Sequence, residues 1–319
     1  MTALPAAAKV HQPELELVDR ARAYFDARRS PATRRAYARD WTAFAEWCRR
    51  RRLEALPASP VTVVLYASEL AERLRPSSID RHLAAVAAAH VDAGHEPPTR
   101  HRAVREALRG IRRVHGGAEV GKAAVVTRDV RRMVDELPDS LIGWRDRALL
   151  LLGFAGAMRR SELVALDVDD VHQVEEGLVV TIRRSKTDQE GAGRAVGIPY
   201  GSQLPTCPVR ALRAWLEASG ITEGALFRPI SRHGRMATQR LSGAAVALVV
   251  KRAVERIGLD PADYAGHSLR AGLVTAATEA GVVETAIMAQ TRQRSLATMQ
   301  RYVRHGSLWK VNAAARVGL

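Results

Sequence analysis

Apolar residues recur at three- and four-residue spacing through most of the chain. This is the period of amphipathic helices, and many of the helix starts are marked by a small polar residue followed by proline. Residues 1–13 carry no such period and are expected to form a flexible N-terminus; Leu15 to Ala27 then reads as a short helix. Ser30-Pro31 offers an N-cap and a proline at the first helical position. Tyr37, Trp41, Phe44, Ala45 and Cys48 follow as the apolar stripe of a helix ending in Arg49-Arg50-Arg51-Arg52. Ser59-Pro60 opens a helix through Leu74, Pro76-Ser77-Ser78 opens one from Ile79 to Ala93, and Pro97-Pro98-Thr99 precedes one through Arg113. Residues 14–115 are thus predicted to be a compact bundle of short helices.

Gly116-Gly117-Ala118-Glu119-Val120-Gly121-Lys122 is small, flexible and non-periodic, so residues 116–123 read as a linker and residues 124–319 as a second domain. In that domain Thr127 is expected to cap a helix to Leu137, and Gly143 to Gly156 to form a largely apolar helix. Leu178 to Arg184 and Arg194 to Pro199 read as two β-strands joined by a Gly-rich loop, Asp188 to Gly193. Everything after Pro208 reads as helical again, including an amphipathic C-terminal helix over 307–319 with Leu308, Val311 and Ala315 on one face. The predicted fold is mainly α with a small β-sheet in the second domain.

Composition adds the partner. At 319 residues and 47% hydrophobic the chain can bury a core in each of two domains. No apolar run approaches the roughly 20 residues of a membrane span, and Met1 to Lys9 lacks a signal-peptide layout, so a cytoplasmic protein is expected. Cys48 and Cys207 are the only cysteines, with no Cys/His cluster, and there is no Walker motif; neither a metal nor another cofactor is expected. The formal charge of +15 points to a polyanion. Residues 1–122 hold 22 Lys+Arg against 14 Asp+Glu and residues 123–319 hold 27 against 20, so both domains are expected to touch it. Only five of the basic residues are lysines, so arginine, which forks onto phosphate, carries the charge.

Against that background, His267-Ser268-Leu269-Arg270 places a histidine and an arginine on one face of a helical turn, a phosphate-sized pair. Tyr302, in Met299-Gln300-Arg301-Tyr302-Val303-Arg304, supplies a hydroxyl competent to attack a phosphate. Taken singly, each has an ordinary structural explanation: His267 as a helix cap, Tyr302 as a surface aromatic, Arg159 as a solvated helix end, Lys186 as a hairpin lysine.

Taken together and in order, Arg159 in Gly156-Ala157-Met158-Arg159-Arg160-Ser161-Glu162-Leu163, Lys186 in Ser185-Lys186-Thr187, the His267/Arg270 box and Tyr302 resemble the tyrosine recombinase, or phage integrase, family. The resemblance runs through most of the chain. It implies a SAM-like helical core-binding domain and an α+β catalytic domain, in a Cre-like or Xer-like two-domain architecture. By resemblance the catalytic residues are Arg159, Lys186, His267, Arg270, Gln293 and the nucleophile Tyr302, with Glu162 orienting the site from behind. The implied activity is site-specific cleavage and rejoining of DNA through a 3′-phosphotyrosyl link. The implied partners are double-stranded DNA with inverted repeats and three further copies of the chain, in a tetramer on two sites. With so short an N-terminus no arm-binding domain is expected, and a bacterial, nucleoid-associated protein is expected. Two positions depart from the family's pattern. Arg160 stands where an apolar residue is usual, and Gln293, nine residues before Tyr302, stands where histidine or tryptophan is general. Glutamine donates a neutral hydrogen bond but no charge. Arg292 and Arg294, on a continuing helix, are expected to point away from the site. A catalytically attenuated or non-catalytic DNA-binding member of the fold, a type IB topoisomerase-like enzyme and a telomere resolvase are the alternatives.

Overall fold

The computed structural model describes residues 12–116, 121–183 and 193–293. The chain divides into two compact units, Met1–Glu119 and Val120–Leu319.

The first unit is helical: α1 (Gln12–Ala27), α2 (Pro31–Arg51), α3 (Pro60–Ala71), α4 (Pro76–Asp92) and α5 (Arg102–His115). The serine–proline starts behave as their chemistry demands. Ser30 Oγ accepts the Thr33 N–H and Ser59 Oγ the Thr62 N–H, satisfying donors that a helix start leaves open. Helix α3 ends at Ala71 rather than Leu74, because Pro76 forces Arg75 into extended backbone (ψ 151) and the chain must leave the helix before it. Phe44, Trp47 and Tyr66 form the aromatic centre of the core with Val63, Leu70, Ile79 and Val86. Among the polar groups buried with it are Asp40 and His90. Asp40 is held by Arg81 through Nε (2.6 Å) and Nη2 (3.2 Å), and His90 accepts the Ala58 N–H on Nε2 (2.8 Å) while its Nδ1 lies 2.8 Å from the Val86 carbonyl. Both satisfy buried polar atoms; the first ties α2 to α4, and the second ties α4 to the loop before α3.

The second unit holds α6 (Thr127–Asp135), α7 (Leu141–Ala155), α8 (Arg160–Ala165), β1 (Val171–Val174), β2 (Gly177–Ile182), β3 (Arg194–Pro199), α9 (Pro208–Ser219), α10 (Gly243–Arg256), α11 (Ser268–Glu279) and α12 (Glu284–Thr291). Thr127 is the first residue of α6, not its cap; the open N–H of Val126 goes to the Asp129 carboxylate instead. The sheet has three antiparallel strands, in the order β1-β2-β3. The extra strand, β1, is an edge whose residues are mostly exposed, so it lacks the alternation that marks a half-buried strand. Residues 220–242 are irregular rather than helical, with bridges Asp167–Ala225 and Ile230–Met236; Gly220 stops α9 at φ +65, and Gly224, Pro229 and Gly234 keep the segment turning.

Helix α7 is the central element. Leu149, Leu150, Leu151 and Leu152 are all buried, so its C-terminal half is apolar on every side, and the helix packs against α9 and α11. Gly272 on α11 lets that helix approach the Val125 segment; a Cβ there would stand 1.8 Å from the Val125 carbonyl oxygen. The result is that the C-terminal end of α7, the start of α8 and the start of α11 meet.

Candidate active site

The turn between α7 and α8 is the floor of the site. Ala157 sits there in left-handed backbone at φ 45, which is costly for a residue with a Cβ, and it reverses the chain so that Arg159 becomes the N-cap of α8. Glu162, three residues on, accepts the Arg159 main-chain N–H on Oε2 (2.9 Å) and the Arg159 side chain on Oε1 (2.5 Å). The Glu162 carboxylate is fully buried and Arg159 nearly so, with side-chain exposures of 1% and 13%.

Arg270 reaches the same turn from α11. It is 1% exposed, and its Nη1 donates to the Ala157 carbonyl at 2.7 Å while Nη2 donates to the Thr291 carbonyl. His267 is the N-cap of α11 and is exposed. The pair expected to share one face as equals therefore differs in depth: Arg270 lies in the floor and His267 on the rim. Arg160 lies beside them. Its Cβ and Cδ would be 3.2 and 3.3 Å from a Cβ at Gly266, so its aliphatic stem fills the place of an apolar side chain while the residue as a whole stays exposed.

The expectation for Arg292 is overturned. Helix α12 stops at Thr291, and Arg292 takes left-handed backbone at φ 57, which turns its side chain inward. The guanidinium is buried. Nη1 donates to the carbonyls of Gly156 (3.0 Å) and Gln290 (2.9 Å), and Nη2 to the Ala157 carbonyl (3.2 Å) and to Glu162 Oε2 (3.0 Å). Nothing local in the sequence announces this break, because the left-handed position holds neither glycine nor asparagine. Gln293 is also buried, with Oε1 3.3 Å from the Thr291 hydroxyl. Gln290 ties the same helix to the end of α7 and to β3, through the carbonyls of Ala155 (2.8 Å) and Gly197 (3.1 Å). Lys186, Tyr302, Arg294 and the 307–319 segment lie outside the described residues.

Electrostatically the site is a carboxylate between two guanidiniums, with a third beside it. Burial alone would raise the Glu162 carboxyl pKa; the Arg159 N–H, the Arg292 charge and the Arg159 side chain outweigh it and hold the group below the usual carboxylate range. For Arg292, burial pulls the pKa down while Glu162 pushes it back up. Three cations against one anion leave the turn positive, which suits a phosphate. Among the described residues no group of three His, Cys, Asp or Glu side chains could hold a metal ion, and no helix is long and apolar enough to cross a membrane.

The model of the Phage integrase family matches residues 125–307, more than half of the chain. An integrase/recombinase xerD homolog of Selenomonas ruminantium is 39% identical over 289 residues, covering 89% of this chain and 85% of its own length. The tyrosine recombinase XerD of Corynebacterium glutamicum is 32% identical over 181 residues, covering 54% of each. Among solved structures, a lambda integrase dimer (residues 75–356) bound to a COC′ core site superposes with TM-score 0.59 at 16% identity, covering 89% of this chain and 93% of that one. XerH bound to a palindromic difH substrate, in a post-cleavage complex, gives TM-score 0.58 at 17% identity, covering 81% and 72%. At such identities the structural likeness speaks for the fold: mainly helical, with a small sheet.

Proposed function

The chain belongs to the phage integrase family, and on that premise we propose that it is a site-specific DNA recombinase that cleaves and rejoins strands through a phosphotyrosyl intermediate. The observation that carries the reading is the convergence of the Arg159 and Arg270 side chains on one positive turn, 156–162, from two elements far apart in sequence.

In this reading the two arginines take the non-bridging oxygens of the scissile phosphate, whose charge grows as the pentavalent state forms. The Tyr302 oxygen attacks phosphorus in line, its proton passing toward His267, while the bond to the 5′-oxygen breaks and Lys186 protonates that oxygen. A Tyr302–O–P bond replaces a P–O bond of similar energy, so the reverse attack by a 5′-hydroxyl rejoins DNA without an external energy source. Glu162 acts through Arg159, and Gln293 contributes a neutral hydrogen bond. Glutamine at that position also supports a second reading, a member of the family with attenuated chemistry.

The finer organisation follows the same premise. The substrate is duplex DNA with inverted repeats around a short spacer, four copies of the chain assemble on two such sites, and the 307–319 segment docks either on a neighbouring copy or on its own domain. The basic balance of both halves makes binding strongly salt-dependent. In this reading the protein acts at the bacterial nucleoid, in integration, excision or resolution. The test uses two plasmids. Exchange between two copies of an inverted repeat taken from the DNA flanking the gene supports recombination. Rapid relaxation of a supercoiled plasmid that lacks the repeat, without exchange, supports a topoisomerase-like activity instead.

A further inference from the structure

We propose that Arg292 is a positioning residue for strand cleavage: by occupying one oxygen of Glu162 it prevents that carboxylate from engaging both prongs of the Arg159 guanidinium, and so leaves Arg159 donors for the phosphate. The inference rests on the recombinase reading given above.

Left to themselves, an arginine and a carboxylate side by side form two parallel hydrogen bonds. Here they do not. Oε1 of Glu162 takes Arg159 Nη1, whereas Oε2 is taken by the Arg159 main-chain N–H at 2.9 Å and by Arg292 Nη2 at 3.0 Å. The Arg159 guanidinium is thereby fixed by one nitrogen, and its other N–H groups make no hydrogen bond among the described residues. Arg292 cannot easily swing away, because its two terminal nitrogens also donate to the carbonyls of Gly156, Ala157 and Gln290. The Ala157 carbonyl is the one that holds Arg270, so a single buried side chain touches the supports of both phosphate-directed arginines.

Keeping an arginine here is unfavourable on two counts. The backbone at φ 57 disfavours any residue with a Cβ, and the Arg292 Nε is buried without a hydrogen-bond partner among the described residues. Glycine would relieve both. Strain retained beside a reactive centre points to a role there. Charge points the same way: without Arg292, Glu162 would cancel the charge of Arg159 outright.

The experiment measures covalent adduct formation on a nicked suicide duplex at saturating protein, together with affinity for the intact duplex and thermal stability. Asparagine tolerates left-handed backbone, so Arg292→Asn removes the cation without adding strain. The adduct rate should fall by about 10- to 100-fold, as for residues that orient a reactive group, while the Kd for DNA stays within about threefold. Adding Glu162→Gln to Arg292→Asn should restore part of the lost rate, because a neutral amide competes less for Arg159. A merely structural brace would make the second change worsen the first. Arg292→Lys, which keeps the charge, should lose less than Arg292→Asn. The inference is overturned by an Arg292→Asn protein that cleaves within about twofold of wild type, or by a double variant slower than both singles. Should neither the asparagine nor the lysine variant fold, Arg292 is a structural brace and the inference also fails. A wild-type protein that forms no adduct at all overturns the recombinase reading, and this inference with it; a normal wild type beside an unaffected Arg292→Asn overturns the positioning role alone.

Discussion

Removing the Glu162 carboxylate tests whether this site is as tightly coupled as its geometry says. In Glu162→Ala, two guanidiniums that are 13% and 3% exposed lose their counter-ion, and three hydrogen bonds disappear: Arg159 N–H at 2.9 Å, Arg159 Nη1 and Arg292 Nη2 at 3.0 Å. Because both partners are nearly out of solvent, screening offers little relief. Breaking a buried pair from one side costs about 3–5 kcal/mol, against a total stability of about 5–15 kcal/mol for a native domain. A domain of this size loses roughly 2–4 °C of Tm per kcal/mol, so the second unit should melt about 6–20 °C lower. Scanning calorimetry of the full chain reads this directly, and Glu162→Gln, which keeps the shape and one acceptor, should fall between. The pH dependence carries the matching sign. A carboxylate whose folded pKa is depressed contributes stability above its unfolded pKa of about 4.3 and loses it as pH falls through the lower folded value. Wild type should therefore lose stability below about pH 4 through a contribution that Glu162→Gln lacks. An alanine variant within about 1 kcal/mol of wild type would refute the coupling.

Three further outcomes follow. Gly272→Ala would drive a Cβ to 1.8 Å from the Val125 carbonyl oxygen and break the Val125 N–H bond to Ser268 (3.0 Å), so urea unfolding should show a loss of at least about 1–3 kcal/mol; a neutral effect would contradict the close approach of α11. His90 is held neutral, burial lowering its pKa while its bond to the Val86 carbonyl raises it, so the stability it contributes is present above its unfolded value of about 6.5 and lost as pH falls below it. The Ala58 amide, which donates to His90 Nε2, should then exchange faster at pH 5.5 than at pH 7 once intrinsic rates are corrected; unchanged protection would contradict the assignment. Gln293→His should speed adduct formation by about tenfold or more, and an unchanged rate would show that this position does not limit the chemistry.

Much of the fold was legible because its signals are local. Ser30-Pro31 and Ser59-Pro60 carry their own capping chemistry, and the leucines of α7 announce a helix whose C-terminal half is buried on all sides. The elements that escaped are those whose reason lies elsewhere in the chain. Strand β1 pairs at an exposed edge and so shows no alternation, and Asp129, not Thr127, satisfies the start of α6. In the site, Arg159, Glu162 and Arg270 stand in motifs readable in order along the sequence. Arg292 does not, since its inward turn depends on a left-handed residue that is not glycine and on a carboxylate contributed by α8. The same holds for Asp40 and His90, whose burial depends on partners such as Arg81 and Ala58 across the bundle.

Recombination by this chain depends on covalent chemistry at Tyr302. Wild-type protein incubated with a nicked suicide duplex carrying the inverted repeat should yield a protein–DNA adduct whose tryptic peptide bears a 3′-phosphonucleotide on Tyr302, and Tyr302→Phe should yield none. An adduct that persists in Tyr302→Phe, or that maps to another residue, would contradict nucleophilic attack by Tyr302.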